Sequence, residues 1–265
     1  MGQLFNRSSF RPVRPAVVAL MLIFASTATL ADEARDARMN AVNSARLRGD
    51  LGDLLTARSE LEAALKQPGN NAAEIHYDLA YVNWRILQIA VNNKESDSKR
   101  EQLIKDAHAH IDAILAIHPD DIETSILKGA LVGTEADESF FSRLRLGRIS
   151  YDTAHDNLKR EPDNPRVRLQ WGVILFFAPS FAGGGVEESL EHLEAAKTLF
   201  GSSPDPGPWP NWGREENLAW LGVAHAKAGR LDRARHYFDE ALAREPNYGW
   251  VLNVHVPALE EQLAN

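Results

Sequence analysis

The chain has 265 residues, 44% of them hydrophobic, and sets 29 Lys and Arg against 37 Asp and Glu, a formal net charge of −8. That length allows one large domain or two small ones with apolar residues enough for a core. The acidity argues against nucleic acid or an anionic membrane surface as partner, since both need a basic patch. The absence of cysteine excludes a thiol nucleophile, a cysteine-ligated metal and a disulfide framework.

Residues 1–31 read as a secretory signal peptide. Arg7, Arg11 and Arg14 stand without an acid, an apolar run follows from Ala16 to Phe24, and small residues end at Thr29-Leu30-Ala31. The competing reading is a retained anchor, but the run falls short of the roughly 20 residues that cross a bilayer. Cleavage after Ala31 would leave residues 32–265. It would take the net charge from −8 to −11, three arginines being lost, and would place the protein in the periplasm or outside the cell.

From residue 33 to Pro246 the chain reads as paired amphipathic helices. Small or apolar residues recur at steps of four, three and five before a proline. Ala107, Ile111, Ile114 and Pro119 show this spacing, as do Ser150, Ala154, Asn157 and Pro162, and Ala234, Phe238, Ala241 and Pro246. Ala57, Leu61 and Ala64 fit with Pro68 one place early, and Ser189, Leu193 and Ala196 fit without a proline. The intervals Pro119 to Gly129 and Pro162 to Gly172 are equal. Between these segments come a long helix running past Trp84 to about Val91, a polar spacer NNKESDSKREQ, an insertion GTEADESFF, and FAPSFAGGG. The stretch GSSPDPGPWPNWG is too rich in Pro and Gly to be helical and predicts an ordered loop or extended linker. NYGWVLNVHVPALEEQL reads as a terminal helix that Pro257 kinks or divides.

Glu216 to Pro246 is the clearest unit. Leu218, Leu221, Gly222 and His225 form one stripe, Gly229-Arg230 breaks it, and Ala234, Phe238, Ala241 and Leu242 form the next. The unit resembles a tetratricopeptide repeat, whose signature is W-x2-L-G-x2-Y, then A-x3-F, then P. Leu218 replaces the Trp and His225 the Tyr; the other positions match. The resemblance implies an all-α fold, a TPR-like helical-hairpin solenoid of about five degenerate repeats with a C-terminal capping helix. The competing arrangement is an irregular helical bundle without solenoid curvature.

No G-x-S-x-G, H-E-x-x-H or Walker loop is present, so no catalytic residue is assigned and no cofactor is expected. Asp152, His155 and Asp156 share one helical face, which could hold a metal but suits an ordinary surface helix better. Gly183-Gly184-Gly185 precedes a helix, yet Glu187 and Glu188 in its first turn would repel an anion, so the glycines read as a turn. His225 reads as a core residue, and His192 and His236 as solvated.

In tetratricopeptide proteins the concave face is lined mainly by first helices and usually takes peptides or protein segments. Carried over by register, the stripe beside the packed one is Glu216, Ala219, Val223 and Ala226. Its equivalents are Arg166, Leu169, Val173 and Phe176; Glu123, Ile126, Ala130 and Gly133; and Glu74, Tyr77, Tyr81 and Trp84. Tyr77, Tyr81, Trp84, Arg166 and Phe176 are therefore the candidate binding residues, since aromatics and Arg carry binding energy. The alternative is that the Trp209–Trp212 loop covers the aromatics and makes them core. On the groove reading Glu216 tolerates replacement by Ala. Two function classes follow. The first is an exported scaffold for a protein or peptide partner. The second is a periplasmic ligand-binding accessory protein, for which loose similarity to proteins associated with TRAP-type transporters speaks, with a small molecule as ligand.

Overall fold

The computed structural model describes residues 33, 35–135, 140–204 and 209–264, with only the backbone at 140–143. The signal-peptide segment 1–31 lies outside the described residues. Contacts divide the chain into two units, 1–38 and 39–265. Residues 33 and 35–38 of the first are helical. The second carries the repeats.

Five helical hairpins succeed one another among the described residues of this second unit. They are α1 (residues 39–48) with α2 (Leu51–Leu65), α3 (Ala72–Asn92) with α4 (Asp97–Leu115), α5 (Ile122–Glu135) with α6 (Phe140–Arg160), α7 (Pro165–Phe177) with α8 (Val186–Gly201), and α9 (Arg214–Lys227) with α10 (Leu231–Arg244). From α2 onward each helix packs on the next, and the first helices α3, α5, α7 and α9 also touch in series. An all-α repeat solenoid results, as the spacing predicts, and no strand occurs among the described residues. The terminal segment is divided as expected. A π-helical turn, Val251–His255, leads into α11 (Val256–Ala264), and Pro257 in its first turn has no N–H to continue the ladder.

Local chemistry sets the helix starts. The Asp50 side chain accepts from Asp53 N, Asp121 from Thr124 N, and Asn164 from Arg166 N and Val167 N ahead of α7, with Pro165 at its first position. The spacer after α3 is shorter than the sequence suggests. Only residues 93–96 are non-helical; Asn92 ends α3, and residues 97–102 form the largely exposed first turns of α4.

Small residues let paired helices approach. A Cβ at Gly222 would run into the Phe238 ring, and one at Gly172 would lie 2.9 Å from Leu193 Cγ. The same register therefore closes the fourth and fifth hairpins. Asn157, on the packed stripe of α6, is buried and accepts from Ser125 Oγ at 2.7 Å.

Candidate functional site

The aromatic stripe of α3 is the first place where register and structure part. Tyr77, Tyr81 and Trp84 are 1%, 0% and 5% exposed. The segment from Trp209 to Trp212 lies over them. Trp212 Nε1 donates to the Tyr77 hydroxyl at 2.8 Å, and Trp209 Nε1 donates to Asp78 Oδ1 at 3.0 Å. The Trp212 ring centroid is 5.6 Å from that of Tyr81 and 6.0 Å from that of Trp84. Tyr81 also donates to Asn43 Oδ1 at 2.7 Å. Tyr77 and Tyr81 are thus core residues, not groove residues. The register puts them on the correct side of α3, and a distant segment returns to roof that side over. Burial accordingly pushes the Tyr77 hydroxyl up from its ordinary value.

Beside this cluster sits a network of buried charge. The Arg85 side chain is 0% exposed and stacks on the Trp84 ring with Cζ 3.7 Å from the centroid. Its Nη2 donates to Glu216 Oε2 at 2.9 Å, and Arg46 Nη2 lies 3.3 Å from the same oxygen. Burial alone would raise the Glu216 carboxyl, but Arg85 and then Arg46 hold it below the usual carboxylate range. Glu216 is therefore not the tolerant surface position that the stripe arithmetic suggests. Arg166 forms a two-pronged pair with Glu123, Nε to Oε2 at 2.7 Å and Nη2 to Oε1 at 2.8 Å.

These groups form the buried end of a cleft of about 900 Å³. Trp84, Arg166, Trp212 and Glu216 close that end. Ile126 and Ala130 of α5 and Leu169 and Val173 of α7 form the walls. At the open end stand Leu144, Phe177 and Phe181, which are 63%, 70% and 91% exposed. Trp220 lines the cleft too, with its ring centroid 5.7 Å from that of Phe177.

Of the five residues singled out by register, Trp84 and Arg166 reach the cleft, while Tyr77 and Tyr81 lie beneath it. Phe176 is half-buried against Phe177 and Trp220 and does not line it; its neighbour Phe177 does. Of the other stripe members, Ile126, Ala130, Gly133, Leu169, Val173 and Glu216 line the cleft, whereas Glu74, Glu123, Ala219, Val223 and Ala226 do not. Phe177, Phe181 and Trp212 carry no signal in the repeat register, because they depend on a loop or on one helix's end, and Trp220 of α9 falls on neither stripe.

The polar groups in the lining are largely paired with one another. Thr134 accepts from Trp84 Nε1 at 2.9 Å and donates to Ala130 O at 3.0 Å. Ser150 donates to Gly129 O at 2.8 Å, Gln170 Nε2 donates to Ile126 O at 2.9 Å, and Gln88 Oε1 accepts from Arg85 at 2.9 Å.

Residues 215–248, which are α9, its turn and α10, match the family model described as "Tetratricopeptide repeat". The fifth hairpin is thus similar to a tetratricopeptide repeat. Two solved structures share the fold. One is the HusA haemophore from Porphyromonas gingivalis, 18% identical with a TM-score of 0.60 over 74% of this chain and 92% of that one. The other is a thermophilic TPR protein of Thermus thermophilus, 16% identical with a TM-score of 0.53 over 84% of this chain and 98% of that one. At these identities the likeness shows the fold alone. Among curated proteins no relative matches this chain.

The remaining candidates take structural roles. In the fifth hairpin, His225 is 8% exposed and stacks on Tyr237 with centroids 5.3 Å apart. In the preceding hairpins, Asp152 pairs with Arg148, Asp156 with Lys159, and His155 stacks on Trp171. The N–H groups of Gly183, Gly184 and Gly185 donate to Ser180, Pro179 and Leu175 carbonyls. They offer an anion nothing. Gly184 marks a close approach, since a Cβ there would run into the Ala178 carbonyl oxygen.

Proposed function

We propose that this protein is a non-catalytic binding protein that carries a small apolar molecule in the cleft between α3, α5, α7 and α9. The observation behind this reading is the lining. It combines apolar walls, a volume in the range of small-molecule sites, and exposed phenylalanines at the mouth. TPR repeats generally mediate protein–protein contacts, and a protein segment is the other occupant such a face takes. The lining disfavours it. A buried peptide backbone needs partners for its N–H and C=O groups, whereas Thr134, Ser150, Gln88 and Glu216 already bond within the protein. One protein of this fold is by name a haemophore, which supports a carrier reading of the architecture. The basic, apolar and small-residue blocks of residues 1–31 support action outside the cytoplasm.

The test is a fluorescence titration with N-phenylnaphthylamine, a neutral apolar probe. Wild type should bind it saturably at one site, and Val173→Trp, which fills the cleft, should lose that binding without a lower melting temperature. Undiminished binding by the filled variant contradicts the assignment.

A further inference from the structure

We propose that the ligand is an elongated amphipathic acid, with its apolar body lying along α7 and its single carboxylate held at Arg166. This rests on the reading of the cleft as a site for a small apolar molecule and names the chemistry of that molecule.

The first observation is the gradient along α7. Arg166, Gln170, Val173 and Phe177 succeed one another at steps of four, three and four, so they share one helix face, and all four line the cleft. From Arg166 to Phe177 that face runs about 16 Å at the helical rise per residue. The Arg166 side chain is 12% exposed at one end, whereas Phe177 is 70% exposed at the other, with Phe181 beyond it at 91%. The site is long and polar at its buried end, and its mouth is apolar apart from Arg148, which is exposed and paired with Asp152.

The second observation is charge. Three guanidinium groups, Arg46, Arg85 and Arg166, meet two carboxylates, Glu216 and Glu123, around the buried end. One Glu serves both Arg46 and Arg85, and the cluster is left with one more positive charge than negative. Two of the cations lie over one indole, with Arg85 Cζ 5.4 Å and Arg166 Cζ 6.0 Å from the Trp212 centroid. Apolar walls keep counter-ions and water from screening that excess, so an anion gains more there than at an open surface.

The third observation is where the free donor lies. Arg166 spends Nε and Nη2 on Glu123. Its Nη1 meets no protein acceptor among the described residues, and it is not among the atoms sealed from solvent. A ligand carboxylate entering the cleft finds that nitrogen at the end of the apolar trough. A charge-assisted bond of this kind is the strong class of hydrogen bond. A neutral apolar molecule fills the walls and leaves the charge excess unmet.

Dansylaminoundecanoic acid and its methyl ester share one apolar body and differ in the acid alone. Titrated by dansyl fluorescence, the acid should bind wild type about tenfold more tightly than the ester, with the preference shrinking as salt is added. Glu123→Gln removes the competing carboxylate, so it should tighten the acid and leave the ester unchanged; Arg166→Gln should abolish the preference. An ester that binds as well as the acid, or a Glu123→Gln effect equal on both, would overturn the acid assignment and leave the apolar-carrier reading standing. Failure of both probes to bind would overturn that reading and this one together.

Discussion

Glu216 is the residue on which the buried end of the cleft turns. It is one carboxylate between two guanidinium groups, and the Arg85 side chain it holds is fully buried. Removing one member of such a cluster strands charge away from water, a costlier loss than that of an exposed pair. Glu216→Ala should therefore destabilise the protein by about 3–5 kcal/mol, and Glu216→Gln, which keeps an acceptor for Arg85, by less. The urea midpoints of the two variants check this; a wild-type midpoint for the Ala variant contradicts it. Because the folded state holds this carboxyl below its usual value, its contribution is present at neutral pH and is lost as pH falls through the folded value. None of this was legible from sequence. Arg85 and Glu216 are 131 positions apart, and repeat arithmetic places Glu216 on a stripe without saying what faces it. Arg166 was found by the same arithmetic because its stripe faces the cleft, but its partner Glu123 comes from the neighbouring repeat.

At the scale of helices, what is local was legible. The steps of four, three and five depend on one helix and its stop, and they recover α4, α6 and α10; the steps of four and three alone recover α2 and α8. The Gly222–Phe238 approach comes from the same spacing. The roof was legible only as the alternative to a groove. The Pro-rich stretch announces a loop, but only its Trp side chains, bonded to Tyr77 and Asp78, say that it folds back on α3. Packing between elements also carries a pH response. His76 of α3 and His110 of α4 face each other with their Nδ1 atoms 2.9 Å apart. One must donate and the other accept, so double protonation sets two N–H groups against each other. Burial lowers both from the ordinary histidine value; His76 lowers His110 further, while Asp106 of α4 and Glu62 of α2 pull it upward. The folded state thus binds fewer protons than the unfolded one. The pair's stabilisation is complete above about pH 6.5 and declines as pH falls toward the folded values. Melting temperatures at about pH 7.5 and 5.5, either side of that value, should differ more for wild type than for His110→Gln. Equal differences would exclude the pair as the source.

At the scale of the whole second unit, the cleft is a product of repetition and of its interruptions. Stacked first helices supply the walls at equivalent positions, Ala130 on α5 and Val173 on α7, and these were legible as a stripe. The segment 178–185 and the Trp212 loop supply the mouth and the buried end, and being insertions they obey no repeat rule. Among the described residues no helix is long and apolar enough to cross a membrane. The central claim is that a small molecule occupies this cleft, and photo-crosslinking in the native cell tests it most directly. Benzoylphenylalanine would replace Phe177 at the mouth or, as control, Ile117, which is 63% exposed and lines no part of the cleft. Position 177 should yield a discrete adduct of small-molecule mass that position 117 lacks. A protein-sized adduct at 177, or the same labelling at both positions, would contradict the account.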